Sequence, residues 1–479
     1  MQITVTLLIV LALVAFISFG ALGLTARWEG ERRAARVAFG LAMVLAASFG
    51  LSALLPAQIR LAILSIVALA LLAGALAFLL PIGQIERGPD VPHKRVDERD
   101  IMFARARLVP GSPDYEAYYA LRPSNKAGDD KTRSLPGLLA PSTTEANPLL
   151  FAATTATFDL IGTLRSRVDG PVAAEGPEPD PAGTAATLKG LARYWGAHSA
   201  GITDLQPYHV YSHVGRGSGE YGAPITLDHA HALAFTVEMD RAMVGTAPAA
   251  PTLLESARQY AVAAQIAILL AEFIRGQGYR ARAHIDGDYR VIAPLVARDA
   301  GLGELGRMGL LMTPELGPRV RLGVVTTDLP LATDPRRDDL SVLDFCRVCK
   351  KCADCCPVRA IPYGDREVID GALRWRIKDN ICFRYWNVIG TDCARCMAVC
   401  PYSHPTSSIH NIIRWAIRHS GGARRAAIWL DRAFYGPRPA SKPAPAWVPA
   451  KPSGQDQRPG TESRGPTGNQ KKSQNSRGA

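Results

Sequence analysis

The 479-residue sequence predicts an α+β chain built in series: three membrane-spanning helices, a mixed α/β body, a compact cysteine-rich module and a polar tail. Three observations predict this. Residues 1–26, 37–59 and 61–85 carry no charged side chain, and about 20 apolar residues cross a hydrocarbon core of about 30 Å. Residues 188–335 alternate helix-period and strand-like runs. All nine cysteines fall between residues 346 and 400, eight of them in two regular runs.

The first apolar run has no basic segment before it, so it reads as a span and not as a cleaved signal. Loop charge sets orientation. Arg27, Arg32, Arg33 and Arg36 follow the first span, Arg60 alone follows the second, and Arg87, Lys94, Arg95 and Arg99 follow the third. This pattern predicts an outside N-terminus and a cytoplasmic remainder. Arg32-Arg33 comes after a span, which argues against a twin-arginine export signal.

In the body, 185–195 and 252–276 are expected to be helices. In the second, Leu253, Ala257, Tyr260, Ala264, Ile268 and Ala271 share one face, and Gly278 stops it. Residues 289–294 and 321–326 are expected to be strands. Residues 170–187 read as a surface loop. The runs Gly215–Gly222 and Ala300–Gly309 read as loops where backbone approaches a large ligand, and neither is a dinucleotide fingerprint. Asp286-Gly-Asp288 reads as a solvated turn. His209, His213, His229 and His231 lack the spacing of a closed metal site.

The cysteines are more specific. Cys346, Cys349, Cys352 and Cys356 form Cys-x2-Cys-x2-Cys-x3-Cys-Pro, and Cys393, Cys396 and Cys400 form Cys-x2-Cys-x3-Cys-Pro. This is the ligand inventory of two [4Fe–4S] clusters of the bacterial ferredoxin kind, in which the fourth cysteine of a run serves the other cluster. One cluster then takes Cys346, Cys349, Cys352 and Cys400. The other takes Cys356, Cys393 and Cys396. Gly390 stands where its last ligand would be, so Cys382 is expected to supply it. Cys355 is left over as a packing thiol. Such thiolates suit a reducing compartment and not a disulfide framework.

Residues 436–479 are rich in Pro, Gly, Ser, Lys and Arg, and are expected to be a disordered basic tail. The net charge of +12 comes partly from this tail and the loops. No basic patch interleaved with aromatics points to nucleic acid.

The order of segments resembles the corrinoid-dependent reductive dehalogenases. The resemblance runs from Tyr208-His-Val-Tyr-Ser through Val237-Glu-Met-Asp240, Gly278-Tyr279, Ala300-Gly-Leu-Gly-Glu and Val324–Leu331 to the double-cluster motifs, roughly residues 145–415. It implies a nitroreductase-like α/β core holding base-off cobalamin beside a ferredoxin-like module. It divides the chain into an anchor (1–85), a linker and first part of the catalytic unit (86–187), the cobalamin-binding core (188–335), the cluster module (336–415), an amphipathic helical end (416–435) and the tail. The implied substrate is an organohalide. The electron donor is separate: a ferredoxin, flavodoxin, reductase or quinol. Unlike respiratory members with a cleaved twin-arginine signal and a separate anchor, this chain carries its anchor built in, against membrane lipid.

In that family a tyrosine donates the proton beside an arginine or lysine. Residue order matches these to Tyr260 and Arg319, with Arg321 as the alternative base and Tyr221 and Tyr289 as alternative donors. His284 and Asp286 lie where the family places a polar substrate contact. Two other readings are an epoxyqueuosine-reductase-like enzyme and a non-catalytic iron–sulfur electron carrier. A carrier would not need a body of about 150 residues upstream of its clusters.

Overall fold

The computed structural model describes residues 2–449, apart from 84 and 338. Three apolar helices open the chain: α1 (Gln2–Trp28), α2 (Arg32–Ser52) and α3 (Ala57–Leu79). Each is long and apolar enough to cross a membrane. Arg60, placed by sequence between spans, sits in the first turn of α3 and donates to the Ala53 carbonyl at 3.3 Å. The helix Ala250–Gly276 also meets the length and apolarity of a span. Its Ile266, Leu270, Ala271 and Ile274 are fully buried within the protein, so it belongs to the body.

The body is built on a four-stranded sheet of order β1 (Ser199–Asp204), β2 (His231–Glu238), β4 (Val320–Thr327), β3 (Ala281–His284), with every neighbouring pair antiparallel. Alternation along β2 sends Leu233, Phe235 and Val237 to one face and Ala232 and Ala234 to the other. The first face is covered by the 250–276 helix, Pro148–Leu164 and Pro181–Tyr194. The second meets the short helix Ala293–Asp299. Gly323 lies under Phe235; a β-carbon there would stand 2.2 Å from its ring.

Several expectations are corrected. Residues 289–294 do not form a strand: only Val291 makes a bridge, to Val210, before Pro294 starts a helix from Ala293. The stretch read as a loop to residue 187 ends at Asp180, whose carboxylate caps the helix at Pro181. Within the glycine runs, a β-carbon on Gly215 would strike the Glu98 backbone, and one on Gly303 the Met312 carbonyl, so these two glycines pack against protein. Asp288 is fully buried in an ion pair with Arg282 at 2.7 Å, so Asp286-Gly-Asp288 is no solvated turn. The first part of the tail, residues 436–449, is docked on the fold, with Ser441 donating to the Ala247 carbonyl and the Pro449 carbonyl accepting from Asn147. Residues 450–479 lie outside the described residues.

Candidate active site and cluster module

Two cysteine groups come together. Cys400 has Cys346, Cys349 and Cys352 as electrostatic neighbours, and all four pack in one buried cluster. Cys396 has Cys393, Cys382 and Cys356 around it. The two Cys-x2-Cys loops turn alike: Lys350, after Cys349, has φ 55°, and Ala394, after Cys393, has φ 48°. This left-handed step lets the next thiol fold back toward the first. Cys382 rides on the helix Asp379–Ile389, which Gly390 ends at φ 83°. That helix brings it to Cys356 and Cys393.

Burial pushes the Cys382 thiol up to about 11 and those of Cys349 and Cys393 up to about 12. Such thiols release protons only as metal binds. Among the described residues no three His, Cys, Asp or Glu side chains close on a single metal ion. A cubane's four thiolates stand on four different irons and need not converge on one point. Cys355 points elsewhere, toward the Pro437 carbonyl at 3.7 Å.

Arg307 holds the loop around the first group. It is fully buried and donates to the carbonyls of Cys346, Arg347, Pro362 and Gly364, and its guanidinium lies 4.8 Å from the Trp375 ring centre. Arg307→Leu would leave these carbonyls unpaired, at about 1–3 kcal/mol for each one that stays dry. The variant should unfold at lower denaturant, losing about 3 kcal/mol or more, and should lose iron from one cluster first. Denaturant melts and iron analysis check both. An unchanged midpoint would show that the loop repairs itself.

A cavity of about 740 Å³ lies between sheet and module. Its lining includes Tyr260, Tyr289, Asp286 and Arg321 from the body, and Cys356, Cys382, Cys393 and Cys396 from the module. Cys346, Cys349, Cys352 and Cys400 are not part of that lining. Most of the rest is apolar, with Phe103, Phe158, Met308, Leu310 and Trp386 among it.

Tyr260 and Arg321 meet there. The guanidinium of Arg321 stands 4.8 Å from the Tyr260 ring centre. Arg321 donates to Asp392 at 2.9 Å and to Ser256 at 2.5 Å, and Ser256 donates to the same Asp392 oxygen. The positive charge of Arg321 pulls the Tyr260 phenol down, burial pushes it up, and the net direction is up. The phenol is therefore protonated at neutral pH.

Arg319 does not stand beside Tyr260. It pairs with Glu238 at 2.6 Å, donates to the Met239 carbonyl, and is buried away from the cavity. Its amide closes a turn on Leu316 just ahead of β4, which begins at Val320, and its side chain runs to Glu238 and Met239. Arg321 lies opposite Val237, on the face that the 250–276 helix covers. Tyr221 packs elsewhere, among Leu108, Tyr115, Tyr118 and Tyr119. Tyr289 does line the cavity, and burial raises its phenol well above the ordinary value. His284 is buried and bonded to Thr326 at 2.9 Å.

Sequence reasoning missed Ser256 and Asp392. Ser256 precedes Tyr260 by four residues on one helix face. Asp392 precedes Cys393, a polar neighbour hidden by the cysteine pattern.

Residues 345–404 match a 4Fe-4S dicluster domain. The tetrachloroethene reductive dehalogenase of Sulfurospirillum multivorans is 38% identical over 188 residues, 38% of this chain and 37% of that protein. A solved reductive dehalogenase, described with a mechanism for B12-dependent dehalogenation, superposes with a TM-score of 0.59 at 26% identity, over 75% of this chain and 50% of the other. The epoxyqueuosine reductase of Atelocyanobacterium thalassa (isolate ALOHA) is 27% identical over 151 residues, 30% of this chain and 48% of that protein. The chain thus spans under two fifths of the curated dehalogenase and half of the solved one. By sequence over about two fifths of its length and by fold over three quarters, this chain is a homologue of the reductive dehalogenases.

Proposed function

We propose that the chain is a membrane-anchored reductive dehalogenase that removes halide from an organohalide, with cobalamin in the cavity and two [4Fe–4S] clusters as its electron relay. One observation carries this reading: a single cavity is lined both by the Tyr260–Arg321 pair and by the four cysteines assigned to one cluster.

The residues fit a corrinoid. Its flat macrocycle suits a large, mainly apolar cavity. Its amide fringe suits the buried polar atoms on the lining that lack protein partners: Arg321 Nε, Asp392 Oδ1 and Arg165 Nε. When bound, the cobalt supplies the strong reductant that carbon–halogen cleavage needs. The protein excludes water, holds the substrate and supplies a proton. Tyr260 Oη gives that proton, and Arg321 stabilises the phenolate left behind. Ser256 and Asp392 fix Arg321 in place. Cys356, Cys382, Cys393 and Cys396 hold the cluster at the cavity. Cys346, Cys349, Cys352 and Cys400 hold the one where electrons enter from a separate donor. The body is read as a nitroreductase-like core.

α1–α3 are read as three spans of the cytoplasmic membrane, with the N-terminus outside. The Glu29–Glu31 turn supports the crossing pattern, and the arginine count supplies the side. It is held by Arg241, Lys442 and His410 of the soluble part, the last at 3.2 Å, so that turn and the soluble part share one side. A reporter fused after residue 100 should be active only in its cytoplasmic form. Alkaline phosphatase activity there would reverse the topology.

The function is tested by halide release from halophenols, haloalkenes and haloalkanes with reduced methyl viologen as donor. Release from at least one class is expected. No release by protein carrying its corrinoid and iron would defeat the proposal.

A further inference from the structure

We propose that the last two helices, Ser408–His419 and Gly421–Tyr435, lie in the plane of the bilayer surface and bury their apolar face among lipid headgroups and upper acyl chains. The inference rests on the reading of α1–α3 as spans.

Both helices turn an apolar row outward. On the first, Ile412 is 62% and Trp415 56% exposed, while Arg414 is 7% exposed and His410 is buried. On the second, Trp429 is 69% exposed and Leu430 is exposed, while Arg424 and Asp431 are buried. The inward charges are matched: Arg424 meets Asp344 at 2.6 Å, Asp431 meets His404 at 3.0 Å and Lys351, and Arg414 donates to the carbonyls of His404 and Pro405. A helix facing water shows its charges outward and its apolar stripe inward. On this pair Ile417, Ile428 and Phe434 still pack inward and Arg418 and Arg432 stay exposed, but Arg414, Arg424 and Asp431 are buried beneath an outward row of Ile412, Trp415, Trp429 and Leu430. Two of that row are tryptophans, the residue enriched at membrane surfaces.

Position names the occupant. The second helix crosses the foot of the anchor. It begins against the end of α3, where a β-carbon on Gly422 would stand 2.3 Å from the Ala77 carbonyl. It ends with Phe434 among Ala34, Ala35 and Ala38 at the start of α2. Its 15 residues span about 22 Å. Trp415 of the first helix stacks on Phe78, one residue from the end of α3, at 6.1 Å between ring centres. The apolar face is thus continuous with the anchor at the depth where the spans leave the membrane. On the inner side, Ile417 and Ile428 pack in the same cluster as Cys346, Cys349 and Cys400. One helix layer, about 10–12 Å thick, then separates the entry cluster from lipid.

The test uses the full chain in vesicles of phosphatidylcholine and phosphatidylglycerol that contain a lipid with a diazirine on its upper acyl chain. After irradiation, digestion and mass spectrometry, adducts are expected on the peptides holding Ile412–Trp415 and Trp429–Leu430 as well as on α1–α3. Adducts on α1–α3 alone would overturn the inference and leave the spans standing. Adducts on neither would overturn both. In the double variant Ile412→Glu, Trp415→Glu, label on the 408–419 helix should be lost while label on α1–α3 and bound iron remain. Full label on that helix in the variant would also overturn the inference.

Discussion

Tyr260→Phe is expected to lower dehalogenation by about 10²–10⁴-fold, the usual loss when a positioned general acid is removed. The change deletes one oxygen and keeps the ring that packs near Phe158, so corrinoid and iron contents should not change. The sign follows from the surroundings. Arg321 pulls the phenol down more than any other single group, but burial together with Asp286 and Asp392 keeps it above its ordinary value, so at neutral pH it carries the proton it must give. Once the proton leaves, Arg321, 4.8 Å from the ring centre, stabilises the phenolate. Arg321→Leu should therefore also cost activity. It leaves Asp392 buried without its cation as well, so Arg321→Lys is the companion that keeps the charge. Arg319→Leu should affect stability through Glu238 and Met239, with turnover per folded, loaded enzyme near normal. Steady-state rates normalised to corrinoid separate these cases. Near-normal turnover in Tyr260→Phe with collapse in Tyr289→Phe would move the donor to Tyr289, which also lines the cavity.

Cys382→Ser is expected to remove one cluster and with it most enzymatic turnover, while the other cluster stays. Cys382 sits beside Cys356 and Cys393 and lines the cavity, so its loss breaks the group that faces the reaction. A serine oxygen is a poorer match for iron than a thiolate. Cys355→Ser is the control, because that thiol points to the Pro437 carbonyl. Iron analysis and electron paramagnetic resonance of the reduced protein should show about half the cluster signal in the first variant and nearly all in the second. Loss of a cluster from Cys355→Ser with both retained in Cys382→Ser would reverse the ligand assignment.

Much of this was legible in the sequence because the signals are local. Twenty uncharged residues in a row announce an apolar helix whatever lies around them. The cysteine spacing reflects how a short loop wraps a cluster. The 250–276 helix was legible because one face repeats at helical spacing, and Tyr260 came with it. What failed depends on tertiary placement. β2 was missed: its residues face helices on both sides, and its small apolar Ala232 and Ala234 blur a strand pattern. The choice between Arg319 and Arg321 turned on where β4 begins, and element boundaries are the least legible part of a sequence. The docked start of the tail escaped because composition reports what a segment can bury by itself, not what a neighbouring surface offers it.

The central claim is that this cavity holds cobalamin beside an iron–sulfur cluster. The visible spectrum of the anaerobically purified full chain tests it most directly. Cob(II)alamin bands together with cluster absorption, at one corrinoid and eight irons per chain on the two-cubane ligand count, are the predicted result. Cluster absorption with no corrinoid, in protein produced with cobalamin supplied, would contradict the claim and leave an iron–sulfur electron carrier.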